Sequence, residues 1–368
     1  MRIGIDGHML GDHSGGNESY NTNILRNMKV DRGDRVFLFV RKDAEIEKCL
    51  EDKFTVVRFR SSSPFVRNFV ELTLLCRKYR LDVLHTQYFI PFIRPCRTVV
   101  TIFDICFEHY RNIFTRKEYI RQKLLIHYAA KKADAIVTCS KYSAMDIGKC
   151  YGIDKRKITV AYAAADSCFR KLSSMELNEK ELRERFAIGD SDYILSVGNL
   201  QPRKNLPRLI RAFSALKDKK LLRDEKLVIV GKKAWLYENI IREAGGENSD
   251  IIFTDYVETD DLVRLYNGAV CFVYPSIYEG FGMPPLEAMA CGTAAAVSDS
   301  SSLPEVAGRA GLYFNPYKVS EIGGAIMKLM KNEDIRRKCI DGGLERNRKF
   351  SWVDSATRIM KVYKKFEG

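Results

Sequence analysis

Long apolar runs are absent from this sequence. No stretch approaches the ~18 consecutive apolar residues that a membrane-spanning helix needs, and no charged-then-apolar leader opens the chain. We therefore expect neither an integral membrane protein nor secretion through a signal peptide. The 368 residues are 46% hydrophobic and 29% charged, which is typical of globular proteins, and this length favours two domains over one.

Paired cysteines are also missing. The ten cysteines are scattered without any C-x-x-C pair, and most lie in apolar stretches, as Cys139 does in AIVTCS and Cys271 in AVCFVYPS. This pattern predicts buried, reduced thiols in a cytoplasmic protein rather than a disulfide framework or a zinc site.

Acidic residues are scarce in the first half of the chain. Residues 1–170 carry 30 Lys and Arg against 19 Asp and Glu, the remainder carries 31 against 28, and the net charge is +14. A basic half indicates an anionic partner, for which nucleic acid, an acidic membrane surface and a phosphorylated substrate all qualify. The missing nucleic-acid-binding motifs weigh against the first of these.

Short β-branched runs alternate with amphipathic stretches along the whole chain, which predicts parallel sheets covered by helices. We expect two doubly wound α/β domains, 1–170 and 171–350, with their boundary in the polar stretch 166–191. A final helix over 351–368 has the N-terminal domain as its candidate packing surface. Twelve strands are predicted, at 2–6, 36–40, 55–59, 83–85, 99–103, 135–139, 158–161, 193–197, 227–230, 251–253, 270–274 and 293–297.

The loops after these strands carry the first candidate site residues, because ligands of open parallel sheets bind at the carboxyl ends of strands. After the first strand, Gly15 and Gly16 precede a helix start, where free amides suit phosphate, although neither a G-x-G-x-x-G fingerprint nor a Walker A motif is present. After strand 193–197, Arg203 and Lys204 lie just before a helix, where they could neutralise a diphosphate. The alternative for the glycine pair is an ordinary tight turn. The alternative for Arg203 and Lys204 is that both cations are only solvated on a surface loop.

The segment IYEGFGMPPLEAM, shortly after strand 270–274, adds two carboxylates. Glu279 lies on the loop, Gly280 and Gly282 free the backbone, and Glu287 is expected in the first turn of a helix that opens at Pro284–Pro285. A carboxylate accepts two hydrogen bonds at once, which suits a sugar diol, and both acids could face one crevice. Taken singly, a loop acid and a helix-dipole acid are ordinary features.

The segments SVGNLQPRKNLPRLIRAF and YEGFGMPPLEAMACGTAAAVSDSSSLPEVAG resemble the donor-binding signatures of retaining GT-B glycosyltransferases of family 4. The opening RIGIDGHMLGDHSGGNESY and the stretch FEHYRNIFTRKEYIRQKLL…ADAIVTCSKYSAMDI are similar to the acceptor half of the O-antigen-type mannosyltransferases in that family. The resemblance extends from residue 2 to about residue 350.

This resemblance implies two Rossmann-like domains that face each other across a cleft, with the nucleotide sugar held mostly by the C-terminal one. It implies that Arg203 and Lys204 neutralise the donor diphosphate. It further implies that Glu287 holds the ribose hydroxyls and Glu279 those of the transferred sugar. The other implied donor contacts are the backbone around Phe281, Gly282 and Met283, the amides of Gly15 and Gly16, and the base-binding pair Tyr256 and Val257. Glu305, in LPEVAG, is a family position for which both a site role and a structural role stay open.

One departure from the family concerns the strand TVVTIFDI. Relatives commonly read T-x-H-D there, with the histidine close to the reacting sugar, whereas this chain has Phe103 followed by Asp104. Asp104 and His109 are therefore the candidates for acceptor-side catalysis. His8 and His13, in the first loop, are candidates for acceptor contact.

No metal or other cofactor is expected. Metal-dependent glycosyl transfer usually shows an Asp-x-Asp pair just after an apolar strand, and the only such pair, Asp190–Ser191–Asp192, precedes a strand. Fixed cations and helix amides could stabilise the departing diphosphate instead.

Two basic stretches, 58–80 and 116–132, have helical periodicity with cations among the apolar residues. In the first, Phe65, Phe69, Leu72 and Cys76 recur at helical spacing. Both an ordinary surface helix and a helix lying on anionic lipid fit this pattern. The resemblance to enzymes that act on lipid-linked acceptors implies peripheral attachment to the cytoplasmic face of a membrane.

The expected function is a retaining glycosyltransferase, with GDP-mannose as the favoured donor and a saccharide, lipid-linked by our hypothesis, as the acceptor in lipopolysaccharide or cell-surface polysaccharide biosynthesis. A UDP-sugar-dependent transferase and a nucleotide-sugar epimerase of the same fold are the enzymatic alternatives. A non-catalytic nucleic-acid-binding protein is the distant one, because Glu279 and Glu287 would repel phosphates.

Overall fold

The structure is a computed structural model that describes residues 1–11, 15–233, 238–244 and 250–367. The chain forms two compact units. Unit 1 comprises Met1–Ala163 together with Ser351–Gly368, and unit 2 comprises Ala164–Phe350. Each unit is built around one sheet of parallel strands.

The sheet of unit 1 has seven strands, whose apolar runs are buried by helices as parallel sheets require. They are β1 (Arg2–Asp6), β2 (Arg35–Val40), β3 (Thr55–Arg58), β4 (Val83–Gln87), β5 (Arg97–Thr101), β6 (Ala135–Thr138) and β7 (Ile158–Val160). Their order in the sheet is β3-β2-β1-β4-β5-β6-β7.

The sheet of unit 2 has six strands. They are β8 (Tyr193–Val197), β9 (Lys226–Val230), β10 (Ile251–Phe253), β11 (Cys271–Tyr274), β12 (Ala295–Ser298) and β13 (Leu312–Phe314), in the order β10-β9-β8-β11-β12-β13. The sequence reading missed β13, which has only three residues and pairs with β12 alone at the edge of the sheet. A run this short has no detectable period.

Helices connect the strands in both units. They are α1 (Gly16–Asn27), α2 (Lys48–Lys53), α3 (Pro64–Val66), α4 (Leu72–Lys78), α5 (Cys106–His109), α6 (Arg116–Lys132), α7 (Lys141–Tyr151), α8 (Ser174–Leu177), α9 (Glu179–Arg185), α10 (Leu206–Asp218), α11 (Glu238–Glu243), α12 (Thr259–Gly268), α13 (Met283–Ala290), α14 (Leu303–Ala307), α15 (Val319–Lys331), α16 (Glu333–Asn347) and α17 (Trp352–Lys364). A π-helical segment, Arg67–Glu71, joins α3 to α4. Within the described ranges, no helix is both long enough and apolar enough to cross a bilayer.

In each sheet, the strand order reverses direction at one pair of neighbouring inner strands. In unit 1 the reversal falls between β1 and β4, and in unit 2 between β8 and β11. Ligands of open α/β sheets bind outside the carboxyl ends of strands at such a switch point. In unit 2 the two loops that meet there are those that carry the predicted cations and Glu279.

The passage from unit 1 to unit 2 lies between residues 163 and 164, somewhat before the predicted limit of residue 170. The reason is packing, because Cys168, Phe169 and Leu172 lie against the hydrophobic core of unit 2. The pair Asp190–Ser191–Asp192 lies in the turn before β8, as predicted.

The final helix, α17, belongs to unit 1. Its Tyr363 is fully buried, and the hydroxyl lies 2.5 Å from Nδ1 of His85 on β4. Ser355 Oγ donates a hydrogen bond to the carbonyl of Tyr162 at 2.6 Å. The chain therefore returns to unit 1 after unit 2 is complete.

Candidate active site

A short turn after β8 brings two cations to the switch point of unit 2. Pro202–Lys204 forms one turn of 3₁₀ helix, and Asn205 follows with a φ of 57°, a left-handed conformation that asparagine tolerates. The Asn205 side-chain amide donates to the carbonyls of Pro275 (3.0 Å) and Pro316 (2.7 Å). These bonds tie the loop after β8 to the loops after β11 and β13.

Glu279, on the loop after β11, binds both cations. Lys204 Nζ is 2.7 Å from its Oε1, and Arg203 Nη1 is 2.6 Å from its Oε2. Tyr274 and Ser276 donate hydroxyl hydrogen bonds to Oε1 at 3.0 and 2.6 Å. The predicted residues on the two loops are therefore brought together into one charged cluster.

The electrostatics of this cluster favour an anion. Burial alone would raise the pKa of Glu279, but the charges of Arg203 and Lys204, with hydrogen bonds from Lys204 and Ser276, lower it to about 2. Two cations then face one carboxylate at neutral pH, which leaves a net positive charge. The Arg203 side chain is 22% exposed, so part of that charge is accessible from solvent.

Serines from the segment after β12 fix the backbone of the Glu279 loop. Ser301 Oγ accepts a hydrogen bond from the Glu279 amide at 2.8 Å. Ser302 Oγ donates to the carbonyls of Glu279 and Phe281 at 2.9 and 2.8 Å. The loop is thus held in place independently of the two cations.

Helix α13 begins at Met283, directly after Gly282. Gly282 has a φ of 98°, and a Cβ atom there would lie 2.5 Å from Leu303 Cδ2, so the position requires glycine. The prolines at 284–285 have no backbone N–H, so the amides left at this helix start are those of Gly282 and Met283. The start of α13 therefore offers two backbone donors to the predicted amide cradle.

Glu287 lies in the second turn of α13, and its predicted place in the first turn is wrong because the helix begins at Met283 rather than at the prolines. Burial raises the pKa of Glu287 to about 7. The hydrogen bond from Tyr266 OH (3.0 Å) and the charge of Lys204 oppose this rise, and the charge of Asp166 adds to it. The site therefore contains one carboxylate that is ionised and one that holds a proton near neutral pH.

The predicted base-binding pair follows β10. Tyr256 is exposed, and Nζ of Lys232 lies 4.5 Å from the centre of its ring, whereas Val257 is buried in the core of unit 2. Only Tyr256 thus offers a side-chain surface.

The glycine pair of the first loop lies in unit 1. Gly15 caps α1 with a φ of 82°, a conformation that favours glycine, and Gly16 is the first helical residue. His8 Nδ1 is 2.9 Å from Oδ2 of Asp6 at the end of β1. His13 lies outside the described residues.

The acceptor-side candidates follow β5. The Asp104 carboxylate accepts a hydrogen bond from the Cys106 amide at 2.9 Å, at the start of α5. His109, at the end of α5, lies with Nε2 2.9 Å from the carboxylate of Asp146 on α7. Phe103, which replaces the family's histidine, is buried with its ring edge-on to Tyr20, 5.0 Å between centres.

His109 and Asp146 also belong to a cluster that could hold a metal ion. Together with Cys150 they offer three ligand atoms within 4.8 Å of one another. Asp146 and Cys150 are one helical turn apart, but His109 comes from another helix. Sequence spacing alone therefore could not reveal the cluster.

Comparison with known proteins gives the family. The model described as "Glycosyltransferase Family 4" matches residues 14–167, and that described as "Glycosyl transferases group 1" matches residues 178–346. The O-antigen chain mannosyltransferase B of Escherichia coli is 31% identical over 296 residues, which are 78% of this chain and 75% of that protein. This chain belongs to the group 1 glycosyltransferases of family 4.

Two further comparisons concern the extent of the match and the fold of this glycosyltransferase. The serotype-specific mannosyltransferase WbdA of Escherichia coli is 32% identical over 269 residues, which are 71% of this chain but only 32% of WbdA. A crystal structure of Anabaena HepE in complex with UDP-glucose has a TM-score of 0.77 at 16% identity and covers 99% of this chain and all of that one. The predicted GT-B class, with two parallel-sheet Rossmann-like domains, is confirmed.

Sequence reasoning missed the uncharged residues that hold the candidate site of unit 2 together. Tyr274 and Ser276 bind the Glu279 carboxylate, Ser301 and Ser302 bind its backbone, and Tyr266 binds Glu287. The available signal was position, since the first four residues lie at or just after the ends of β11 and β12. The backbone carbonyl of Glu305 accepts a hydrogen bond from Arg346.

Proposed function

We propose that the chain is a retaining, metal-independent glycosyltransferase that transfers mannose from GDP-mannose to a lipid-linked saccharide in lipopolysaccharide or other cell-surface polysaccharide biosynthesis. The observation that carries the proposal is the cluster of Arg203, Lys204 and Glu279 at the switch point of unit 2. Two fixed cations suit a diphosphate that gains negative charge as its bond to the sugar breaks.

The donor half of the reaction follows from the charges of this cluster. The bond between the anomeric carbon and the diphosphate oxygen breaks, and Arg203 and Lys204 stabilise the negative charge on the departing nucleotide. Glu279, which is ionised, accepts hydrogen bonds from hydroxyls of the sugar. Glu287 accepts those of the ribose. The amides of Gly282 and Met283 provide further donors to phosphate oxygens.

The acceptor half requires a group that receives the proton of the attacking hydroxyl. Asp104 and His109 in unit 1 are the proposed groups, and Asp146 holds the imidazole of His109 in one orientation. A new bond forms between the anomeric carbon and the acceptor oxygen with the configuration retained.

The relatives support the choice of sugar and acceptor. Both reported Escherichia coli relatives are named as mannosyltransferases, and one of them as acting on the O-antigen chain. The Anabaena structure contains UDP-glucose, so a UDP-sugar is the competing donor.

A nucleotide panel tests the donor proposal. We expect GDP, but not UDP, ADP or dTDP, to raise the melting temperature equally with and without magnesium. A ligand at ~100 times its dissociation constant adds ~2.7 kcal/mol to the free energy of unfolding, enough for a clear shift. A shift with UDP alone would reassign the donor, a shift that needs magnesium would contradict metal independence, and no shift with any nucleotide would contradict the proposal as a whole.

A membrane surface is proposed for unit 1 on the basis of an apolar strip, defined as Phe65, Phe69, Phe92, Leu124 and Tyr128. The rings of Phe65 and Phe69, of Phe69 and Phe92, and of Phe92 and Tyr128 lie 5.1, 4.6 and 5.3 Å apart. Phe65, Phe92 and Leu124 are 65%, 51% and 66% exposed.

Cations border the apolar strip along α6. Lys117, Arg121 and Lys123 are exposed there, next to an open, mostly apolar groove of about 520 Å³ that contains Leu124 and Tyr128. Aromatic side chains flanked by cations are what an anionic bilayer surface binds. We propose that this face holds the enzyme peripherally on the cytoplasmic side of the membrane, where a lipid-linked acceptor is presented.

Vesicle binding tests this surface. We expect phosphatidylglycerol vesicles to retain the protein at low salt, phosphatidylcholine vesicles to retain less, and high salt to release it. The triple variant Phe65→Ser, Phe92→Ser, Leu124→Ser should bind at least about tenfold more weakly, because each side chain loses apolar burial worth about 1.5–3 kcal/mol at most. Met175→Ser, which changes a side chain 88% exposed in unit 2, is the matched control. Failure of anionic vesicles to retain the wild type at low salt would contradict the proposal.

A further inference from the structure

Unit 1 contains a buried arginine whose side chain forms no hydrogen bond with the residues that the structure describes. Arg67 is only 6% exposed, and its Nε is fully buried without a hydrogen-bond partner. Its guanidinium lies 5.6 Å from the centre of the Phe59 ring. A buried guanidinium carries five N–H donors, so this arrangement is costly unless something else uses them.

The nearby acids do not form an ion pair with Arg67 because other groups bind them. Glu71, four residues further along the same helical stretch, accepts hydrogen bonds from the backbone amides of Arg60 (2.5 Å) and Ser61 (3.1 Å). Asp6, whose pKa is lowered by the charges of His8 and Arg67 against the effect of burial, is bound by the ring and the backbone amide of His8 at 2.9 and 3.2 Å.

Arg67 lies at the ligand-binding edge of the unit 1 sheet. The charge of Arg67 lowers the pKa of the Asp6 carboxyl, so the two side chains interact electrostatically. Asp6 is the last residue of β1, which borders the switch point between β1 and β4. Phe59, beneath the Arg67 guanidinium, directly follows β3. Arg67 is also the first residue of the π-helical segment, and such segments are frequent at functional sites.

We propose that Arg67 binds a phosphate group of the acceptor substrate. This inference depends on the proposed function, which supplies an acceptor for unit 1. The planar guanidinium matches two phosphate oxygens at once, and burial strengthens that interaction relative to one in water. The phosphate could belong to a lipid-linked diphosphate or to a soluble sugar phosphate.

The first measurement is stability, because a structural role and a binding role predict opposite results. Arg67→Met keeps the length and apolar contacts of the side chain and removes a buried charge that makes no hydrogen bond to a described residue. We expect its melting temperature to equal or exceed that of the wild type. Arg32→Met, an exposed arginine of the same unit, is the control.

The second measurement is binding of farnesyl diphosphate and of mannose 1-phosphate, each to protein saturated with GDP. The same titrations in a Lys204→Ala background exclude binding at the donor cations. We expect Arg67→Met to bind the preferred probe about 10- to 100-fold more weakly, and Arg67→Lys to fall between it and the wild type. GDP affinity should not change in Arg67→Met or Arg32→Met. The probe that binds the wild type more tightly identifies the source of the phosphate.

Three results would overturn the inference. They are equal probe affinity in Arg67→Met and wild type, a marked fall in the melting temperature of Arg67→Met, and a wild type that binds neither probe. Failure of the donor proposal is distinguishable, because it appears as absence of GDP binding in the wild type while the comparison in the Lys204→Ala background can still be made.

Discussion

Lys204→Ala is expected to lower transferase activity by about 10²- to 10³-fold, the usual effect of losing one preorganised charge that stabilises a transition state. Lys204 Nζ contacts Glu279 Oε1 at 2.7 Å and lies over the Tyr274 ring, so it is a fixed cation in an almost dry position. Activity is measured as nucleotide release from GDP-mannose with a saccharide acceptor. Arg211→Ala, which removes an exposed cation on α10, should retain wild-type activity.

Lys204→Ala removes one of the cations that pair with the buried Glu279, so it could also lower activity by destabilising the fold. A second variant separates this effect from the loss of the charge itself. The double variant Lys204→Met, Glu279→Gln removes both charges and should regain stability without regaining activity. If Lys204→Ala alone kept near wild-type turnover and nucleotide affinity, the assignment of the diphosphate site to this cluster would be wrong.

Glu287→Gln is expected to stabilise the protein at about pH 8 by on the order of 2–3 kcal/mol, several degrees in melting temperature. The pKa of Glu287 is about 7 in the folded protein against 4.5 ordinarily. Between these values the folded state binds more protons than the unfolded state, so the free energy of unfolding falls as the pH rises from 4.5 through 7. The glutamine variant has no proton to release and should lack this decline.

Melting curves of both proteins from about pH 4.5 to pH 8 test this prediction. The two curves should differ least at the acid end and most at the alkaline end. Glu345→Gln, an exposed acid on α16, should follow the wild type throughout. Parallel curves for wild type and Glu287→Gln would contradict the raised pKa. Glu279 affects stability in a different pH range. Its lowered pKa adds to the free energy of unfolding above pH 4.5, and this contribution is lost as the pH falls towards 2.

The sequence predicted which charged residues the structure brings together in unit 2, because these positions follow strand ends. Arg203, Lys204 and Glu279 could be placed at one edge from strand order alone once the alternation of strands and helices was clear. What the sequence could not indicate is that Glu279 pairs directly with both cations. The loops that carry these residues are joined by Asn205, whose side-chain amide donates to carbonyls 70 and 111 positions away along the chain.

Three other features were not predictable for physical reasons. Helix α13 begins at Met283, one residue before the predicted start at Pro284. The reason is the left-handed conformation of Gly282, which helix propensities do not predict. The edge strand β13 is too short to show a period. The spacing of Arg67 and Glu71 would favour an ion pair on a regular helix. Arg67 forms no such pair because the Glu71 carboxylate accepts hydrogen bonds from the backbone amides of Arg60 and Ser61.

The return of α17 to unit 1 has a consequence for the order in which the chain can fold during synthesis. Unit 2 is a continuous stretch, Ala164–Phe350, so all its strands have left the ribosome before the last helix is made. Until α17 has been synthesised, unit 1 lacks Tyr363, whose hydroxyl contacts His85 on β4. It also lacks the helix that covers this part of its sheet. The N-terminal domain, which generally folds first during synthesis, therefore cannot complete its packing here until unit 2 has been synthesised. The basic unit 1 thus lacks part of its packing at a stage when every residue of the unit 2 core has been synthesised.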